Sequence, residues 1–152
     1  MPTIALRFSP LAEHVRTARL VAVSVARRAG FEEGQLDEIR IAIGEACARA
    51  VGRTTAGGLV DMRLCDDSSR LEVTVVERGA DGEVLPATDE NEDPLALALL
   101  QGMADDVSVA GSTTLPGVEE RRAGVRLAWA LSDPAPVTSP GVLHAPQPRQ
   151  RT

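Results

Sequence analysis

The spacing of apolar residues changes along the chain, from a helical period in the first third to alternation after it. The short apolar segment 2–8 predicts an edge strand. The spacing from Ser9 to Gly30 predicts a helix, with Ser9 as N-cap, Pro10 at the first helical position and Gly30 as C-cap. A second helix is expected from about Glu33 to Arg53.

Each predicted helix has one apolar face. The expected core face of the first helix contains Leu11, Ala18, Ala22, Val25 and Ala29. That of the second contains Leu36, Ile39, Ile43, Ala46 and Ala50. The other side of the first helix combines arginines with apolar residues: Arg16, Arg19, Leu20, Val23 and Arg27. This stripe is interpreted as a partner-binding surface, because arginine is a preferred interface residue. A solvated basic face remains the alternative.

The remaining elements are shorter. Alternation within residues 57–79 predicts a hairpin that turns at the sequence DDSS. The acidic segment 80–94 predicts a loop, and a third helix is expected over 94–106 with Pro94 in its first turn. Two further strands are expected at 107–112 and 124–132.

The periodic apolar residues end near residue 133, and this position is the expected end of the folded domain. One folded domain is expected over residues 1–133. Residues 134–152 are rich in proline and poor in periodic apolar residues, which predicts a disordered tail.

Composition excludes several functions. The net charge of −6 and the near absence of aromatic residues disfavour direct binding of nucleic acid. The absence of lysine excludes a lysine nucleophile. Cys47 and Cys65 have no metal-ligand spacing, so no metal site is expected. No apolar stretch is long enough to span a membrane, and we expect a soluble, cytoplasmic protein.

The sequence GEACARAV places Glu45 and Arg49 four residues apart on the second helix. Such a pair is either a surface ion pair contributing a few tenths of a kcal/mol or part of a ligand or partner site, and both interpretations stay open here.

Four segments in this order resemble a known family: HVRTARLVAVSVARRAG, LDEIRIAIGEACARAV, LEVTVVERG and LALALLQGMADDVSV. Together they resemble the GHKL (Bergerat) ATP-binding fold and, more narrowly, the anti-sigma factor kinases of the RsbW and SpoIIAB type, in their actinomycete form. The resemblance covers roughly residues 4 to 132. It implies an α/β two-layer fold with three helices on one face of a mixed, mainly antiparallel sheet of about five strands.

The resemblance also implies a site, from which this chain departs. In the family, Glu-x-x-x-Asn on the second helix supplies a general base and a Mg²⁺ ligand. Glu45 matches the base, but Arg49 stands where the Asn is expected, and a guanidinium has no lone pair to offer a metal. Glu45 is therefore interpreted as a vestigial base.

Two further signatures are altered. In the family's Asp-x-Gly-x-Gly the Asp reads the adenine amino group; here Glu77 and Gly79 match, while Asp81 replaces the last glycine. The phosphate-binding turn Gly-x-Gly-Leu corresponds to residues 92–95, where Pro94 has no N–H to donate and two acidic residues precede it.

These departures favour a regulatory binding protein of the anti-sigma type, with ATP and Mg²⁺ binding and kinase activity lost. The resemblance implies partner switching between a sigma factor and a STAS-domain anti-sigma factor antagonist, and a homodimer. An active serine kinase that phosphorylates the antagonist with Glu45 as base is the alternative. A module that binds ATP without cleaving it is a third.

Overall fold

Five strands and three helices form in the order that the sequence pattern predicts. The computed structural model describes residues 2–85, 94–109 and 124–132. The elements are β1 (Thr3–Phe8), α1 (Ala12–Ala29), α2 (Glu33–Arg53), β2 (Leu59–Asp66), β3 (Arg70–Arg78), α3 (Pro94–Met103), β4 (Asp106–Val109) and β5 (Gly124–Ala130). The bounds of α2 agree with the prediction.

The strands form one sheet in the order β1-β2-β3-β5-β4. Each of the four pairings within the described strands is antiparallel. The prediction of about five mainly antiparallel strands is therefore confirmed, although none of these pairings is parallel. Strand β1 lies at one edge, as expected, and β2 and β3 form the predicted hairpin.

The core lies between one face of the sheet and the helices. All five residues expected on the core face of α2 are buried. They pack in one cluster with alternate residues of the hairpin, Val60, Met62, Leu64, Leu71, Val73 and Val75. Helix α2 contacts β3, and this contact fixes what the C-terminal turns of α2 face.

The predicted start of α1 is wrong. The helix begins at Ala12, with the extended residue Leu11 as N-cap and no side-chain capping bond. The Ser9 carbonyl instead accepts from the Leu11 amide at 2.7 Å and lies 3.0 Å from Nδ1 of His14. Pro10 is thus outside the helix, because residues 9–11 turn the chain from β1 into α1. The predicted C-cap is confirmed, since Gly30 is left-handed with φ 102°.

The buried face of α1 is wider than its spacing predicts. Val15, Val23 and Ala26 are buried in addition to three of the expected residues. Leu11 is 47% exposed, which contradicts its place on the core face. Helix α1 packs against both α2 and β2, so two flanks of the helix are covered instead of one.

The end of α3 also differs from the prediction. The helix stops at Met103, and Asp106 already belongs to β4. Asp105 ties this junction to β5, because its carboxylate accepts from the Ala130 amide at 2.7 Å. The Trp129 indole also donates to the Met103 carbonyl at 2.7 Å.

Several predictions fall outside the described residues. They concern residues 86–93 of the acidic loop, the end of the strand at 107–112, the segment before β5, and the tail at 134–152. The division at residue 133 stays a prediction. Among the helices of the described ranges, none has the length and apolar character that crossing a membrane requires.

We predict that Ile43→Ala lowers the free energy of unfolding by about 2–5 kcal/mol, because Ile43 is fully buried in the core cluster. Ile41→Ala is the matched control on the same helix. Ile41 is 46% exposed, so that change should stay within about 0.5 kcal/mol. Urea denaturation followed by the fluorescence of Trp129, the chain's only tryptophan, measures both. An equal loss of unfolding free energy in the two variants would contradict the burial of Ile43 in the core.

Candidate functional site

The candidate site is built around a buried carboxylate at the end of β3. Strand β3 alternates, so that Leu71, Val73 and Val75 point toward the helices, and Glu77 continues that row. Glu77 pairs in register with Val60 of β2 and is only 1% exposed. Among the described residues it is the one charged residue that is buried.

Two arginines of α2 lie in the electrostatic field of this carboxylate. Burial raises the pKa of Glu77, while the charges of Arg53 and Arg49 act in the opposite direction. Because the pKa is raised overall, the cost of burying the charge outweighs the attraction of the two guanidinium groups. The structure therefore brings together two of the predicted site residues, Arg49 and Glu77.

One oxygen of this carboxylate, Oε2 of Glu77, is buried and has no hydrogen-bond partner among the residues that the structure describes. Buried polar atoms nearly always have a hydrogen-bond partner, and groups with a strongly perturbed pKa cluster at functional sites. The free oxygen can accept a hydrogen bond from a donor that enters the site.

The ion pair considered for Glu45 and Arg49 is not formed. No hydrogen bond or ion pair between described residues joins these two side chains. Both are half-buried, and Arg49 lies near Glu77 instead. The surface-pair interpretation is therefore wrong, because the last turns of α2 face the end of β3.

A tight turn follows Glu77. The Gly79 amide donates to the Glu83 carbonyl at 2.9 Å, and Asp81 accepts from the Glu83 amide at 3.0 Å. A Cβ on Gly79 would lie 3.0 Å from Oδ1 of Asp81 and 3.3 Å from Leu85. Gly79 is thus held in close packing beside Glu77, and Asp81, which replaces a family glycine, stabilises the turn.

Pro94 is the first residue of α3, as predicted. Residues 86–93, which include the two acidic residues expected near the phosphate-binding turn, lie outside the described part of the chain. The loss of the phosphate-binding turn therefore stays a prediction.

The chemistry of these side chains fits part of a Mg²⁺–ATP complex and not the rest. The free acceptor of Glu77 suits a ligand amino group. The guanidinium of Arg49, at the position of the expected metal ligand, has no lone pair and repels a cation. Within the described ranges, no three His, Cys, Asp or Glu side chains are grouped as a metal site.

The predicted partner-binding residues also come together. Arg16, Arg19, Leu20, Val23 and Arg27 line one groove of about 450 Å³, with Ser24 and with Arg40 of α2. We call this the arginine groove. Arg27 lies 3.5 Å from Glu33, and Arg40 lies 2.5 Å from Asp37. Arg16 is exposed and forms no ion pair with a described residue.

Val23 and Arg19 are less exposed than the predicted stripe implies. Val23 is 6% exposed, so it forms the floor of the groove, whereas Leu20 is 62% exposed. Arg19 is half-buried and lies across α2, with its Cδ 3.0 Å from where a Gly44 Cβ would be. Sequence reasoning missed Gly44, although a glycine inside a helix is itself a signal of close packing.

The fold and the site together define a class. Three helices cover one face of an antiparallel sheet, and the second helix faces a carboxylate at the end of a central strand. This is the arrangement expected of the GHKL-type ATP-binding fold.

Comparison with known proteins agrees with this class. The family of the histidine kinase-like ATPase domain matches residues 8–117, and the chain belongs to this family. The chain is also similar to the serine-protein kinase RsbW of Bacillus pumilus (strain SAFR-032), with 27% identity over 128 residues. That match covers 72% of this chain and 79% of the relative.

We predict that Glu77→Gln raises the free energy of unfolding at neutral pH. The pKa of Glu77 is higher in the folded protein than in the unfolded chain, where it is about 4.3. Ionised Glu77 therefore destabilises the fold fully above the folded-state pKa, and the effect is absent below the unfolded-state pKa. The gain in unfolding free energy of Glu77→Gln should therefore disappear as the pH falls to about 4, near the pKa of a glutamate in the unfolded chain. Urea titrations at several pH values measure it.

Glu72→Gln is the control with the opposite sign. The hydrogen bond from Arg126 at 2.7 Å lowers the pKa of Glu72, so its ionised form stabilises the fold above the unfolded pKa. This variant should be less stable at neutral pH, with the loss vanishing in acid. The same sign of change in both variants would contradict the electrostatics described for Glu77.

Proposed function

We propose that this protein is an anti-sigma factor-like regulator that acts by partner switching in the cytoplasm. It binds a sigma factor or a STAS-domain anti-sigma factor antagonist in mutually exclusive complexes. Such a switch needs differential affinity and no turnover. We include a homodimer in this proposal, because the resembled family implies one.

One observation supports the part of this proposal that says kinase activity is lost. Arg49 lies beside the buried carboxylate of Glu77, at the position where a metal ligand is needed. Phosphoryl transfer depends on a metal ion that neutralises charge on the phosphates. A guanidinium at that position repels the ion, and the domain would work as a pseudokinase.

The arginine groove is the surface that we assign to the partner. Four arginines surround the exposed side chain of Leu20, an arrangement that suits an acidic segment with an apolar residue at its centre. A regulator that binds through this groove does not use the nucleotide site for affinity.

The alternative is an active kinase that transfers the γ-phosphoryl group of ATP to a serine hydroxyl of the antagonist, with Glu45 accepting the proton. Two observations favour it: the relative named above is a serine-protein kinase, and Glu77 keeps a free acceptor for a ligand donor. A module that binds ATP without cleaving it would use the same acceptor.

Purified protein mixed with ATP, Mg²⁺ and a STAS-domain antagonist separates these functions. We expect no phosphoserine on the antagonist and an equimolar complex that forms with or without ATP. Phosphoryl transfer would overturn the proposal in favour of the kinase. ATP-dependent complex formation without transfer would favour the nucleotide-binding module.

We predict that Arg16→Glu weakens binding of the sigma factor at least about tenfold, because it reverses an exposed charge at the groove without removing buried packing. Arg63→Glu is the matched control, since Arg63 is exposed on the opposite face of the sheet. Calorimetric titration of each folded variant measures the effect. Equal affinities for the two variants would place the partner elsewhere.

A further inference from the structure

The backbone of Glu77 is held by the turn that follows it. The Leu85 amide donates to the Glu77 carbonyl at 2.9 Å. An isolated antiparallel bridge joins Arg78 to Val84 one step further along. Residues 79–83 close the turn between these contacts. A movement of the turn is therefore transmitted to the backbone that carries the buried carboxylate.

Arg78 lies on the other face of the sheet from Glu77. Side chains alternate along β3, and Glu77 belongs to the buried row that faces the helices. We call the opposite side the outer face of the sheet. Arg78 pairs in register with Leu59, and its side chain runs diagonally across the outer face to the carboxylate of Asp61 on β2. Its guanidinium is thus separated by the sheet from the side on which Glu77 would accept a ligand.

The guanidinium of Arg78 joins the sheet to the turn. Its Nε donates to Oδ2 of Asp61, and its Nη1 donates to the Gly82 carbonyl at 2.8 Å. Gly82 is left-handed, with φ 84°, a conformation that has no steric cost for glycine. Because both hydrogen bonds come from one rigid, planar group, Arg78 fixes the distance between β2 and the turn. We call these two hydrogen bonds the outer-face clamp.

Asp61 anchors the outer-face clamp and is itself held by Arg7. Arg7 is its neighbour in register on β1, and Nε and Nη2 of Arg7 donate to the two carboxylate oxygens at 2.6 and 3.1 Å. Burial alone would raise the pKa of Asp61, but the hydrogen bonds from Arg7 and Arg78 outweigh it, so the pKa is lowered overall. Asp61 is therefore ionised at neutral pH and binds the guanidinium of Arg78 as a charged group.

The clamp affects the site because the state of Glu77 depends on burial. Burial is the largest influence on the pKa of Glu77, which it raises. In the described ranges, Oε2 of Glu77 has no hydrogen-bond partner. A turn that moves away from Glu77 would admit water, and water would then bind the oxygen that is otherwise open to a ligand donor. A fixed turn keeps this acceptor buried and available.

We propose that Asp61 and Arg78 are positioning residues for the acceptor site at Glu77. Their clamp on the outer face of the sheet holds the turn of residues 79–83 in place and keeps the carboxylate buried. This inference goes beyond the proposed function. It holds whichever partner or ligand the protein binds, because it concerns the geometry of the free protein.

Two arginine variants of the full chain separate the clamp from the rest of the charge cluster. Arg78→Gln breaks the link between Asp61 and the turn. Arg7→Gln removes the same charge from the same carboxylate but leaves that link intact. Amide hydrogen exchange followed by NMR measures how firmly the turn is held. Four amides of the turn donate hydrogen bonds and serve as reporters: Gly79, Gly82, Glu83 and Leu85.

We expect the four reporter amides to exchange at least about tenfold faster in Arg78→Gln than in the wild type, because the loss of a charge-assisted hydrogen bond favours local opening of the turn. They should keep their wild-type rates in Arg7→Gln. Asp61→Asn removes the charge that anchors Arg78 and should accelerate the same four amides. Strong protection of the amides of Val73 and Val75, in the middle of β3, shows that each variant is folded.

The pKa of Glu77, measured by an NMR titration of its carboxyl carbon, is the second readout. In Arg78→Gln, water that enters beside the moved turn should lower this pKa toward about 4.3, the value of an unfolded glutamate. Loss of a positive charge alone would raise the pKa of a carboxyl group. The sign of the change therefore separates a moved turn from a direct electrostatic effect.

Glu72→Gln is the matched control for Asp61→Asn. Glu72 also lies on the outer face and accepts a hydrogen bond from Arg126 at 2.7 Å, but it lies near the other end of β3. This variant should leave the reporter amides and the pKa of Glu77 unchanged.

Three outcomes would each overturn the inference: unchanged reporter amides in Arg78→Gln, equal acceleration in Arg7→Gln, or a pKa of Glu77 that does not fall in Arg78→Gln. None of these measurements involves a sigma factor, an antagonist or a nucleotide. The proposed function can therefore fail while the clamp is confirmed, and the clamp can fail without affecting the proposed function.

Discussion

The packing of α2 against β3 determines the rest of the site. The buried stripe of α2 lies on the inner row of β3, and both elements end at the same place in the molecule. Their ends therefore meet, and Glu77 is held among the last turns of α2 with Arg49 and Arg53 nearby. The chemistry of the site follows from this contact, because the same core packing that stabilises the fold removes Glu77 from water.

Electrostatics then decide what the site can bind. A buried carboxylate near two guanidinium groups would be a stable ion pair if hydrogen bonds completed it. Within the described part of the chain, however, Oε2 of Glu77 has no hydrogen-bond partner, and the pKa of Glu77 stays raised. The site keeps an acceptor for a ligand donor while Arg49 opposes a metal ion. This combination agrees with our proposal that the domain keeps the fold of the ATPase family without binding Mg²⁺–ATP and that its partner binds at the arginine groove.

Much of the fold could be predicted from the sequence, because regular periodicity reports burial on a single face. The five apolar residues of α2 and the alternation of the hairpin are such patterns. The start of α1 at Ala12 could not be predicted, since the Ser9-Pro10 capping signal is local and the turn after β1 overrides it. Likewise, spacing alone could not predict that Val23 is buried or that Arg19 lies against Gly44.

The candidate site was predicted in part. Family motifs identified Arg49 and Glu77, but their proximity depends on the packing of α2 on β3, and the loss of the pair between Glu45 and Arg49 depends on it too. The central claim is that Arg49 prevents binding of Mg²⁺–ATP, and calorimetric titration of Mg²⁺–ATP into the full chain tests it most directly. We expect no saturable binding up to millimolar nucleotide, with measurable binding gained in Arg49→Asn. Saturable binding by the wild type at millimolar concentration or below would contradict the account.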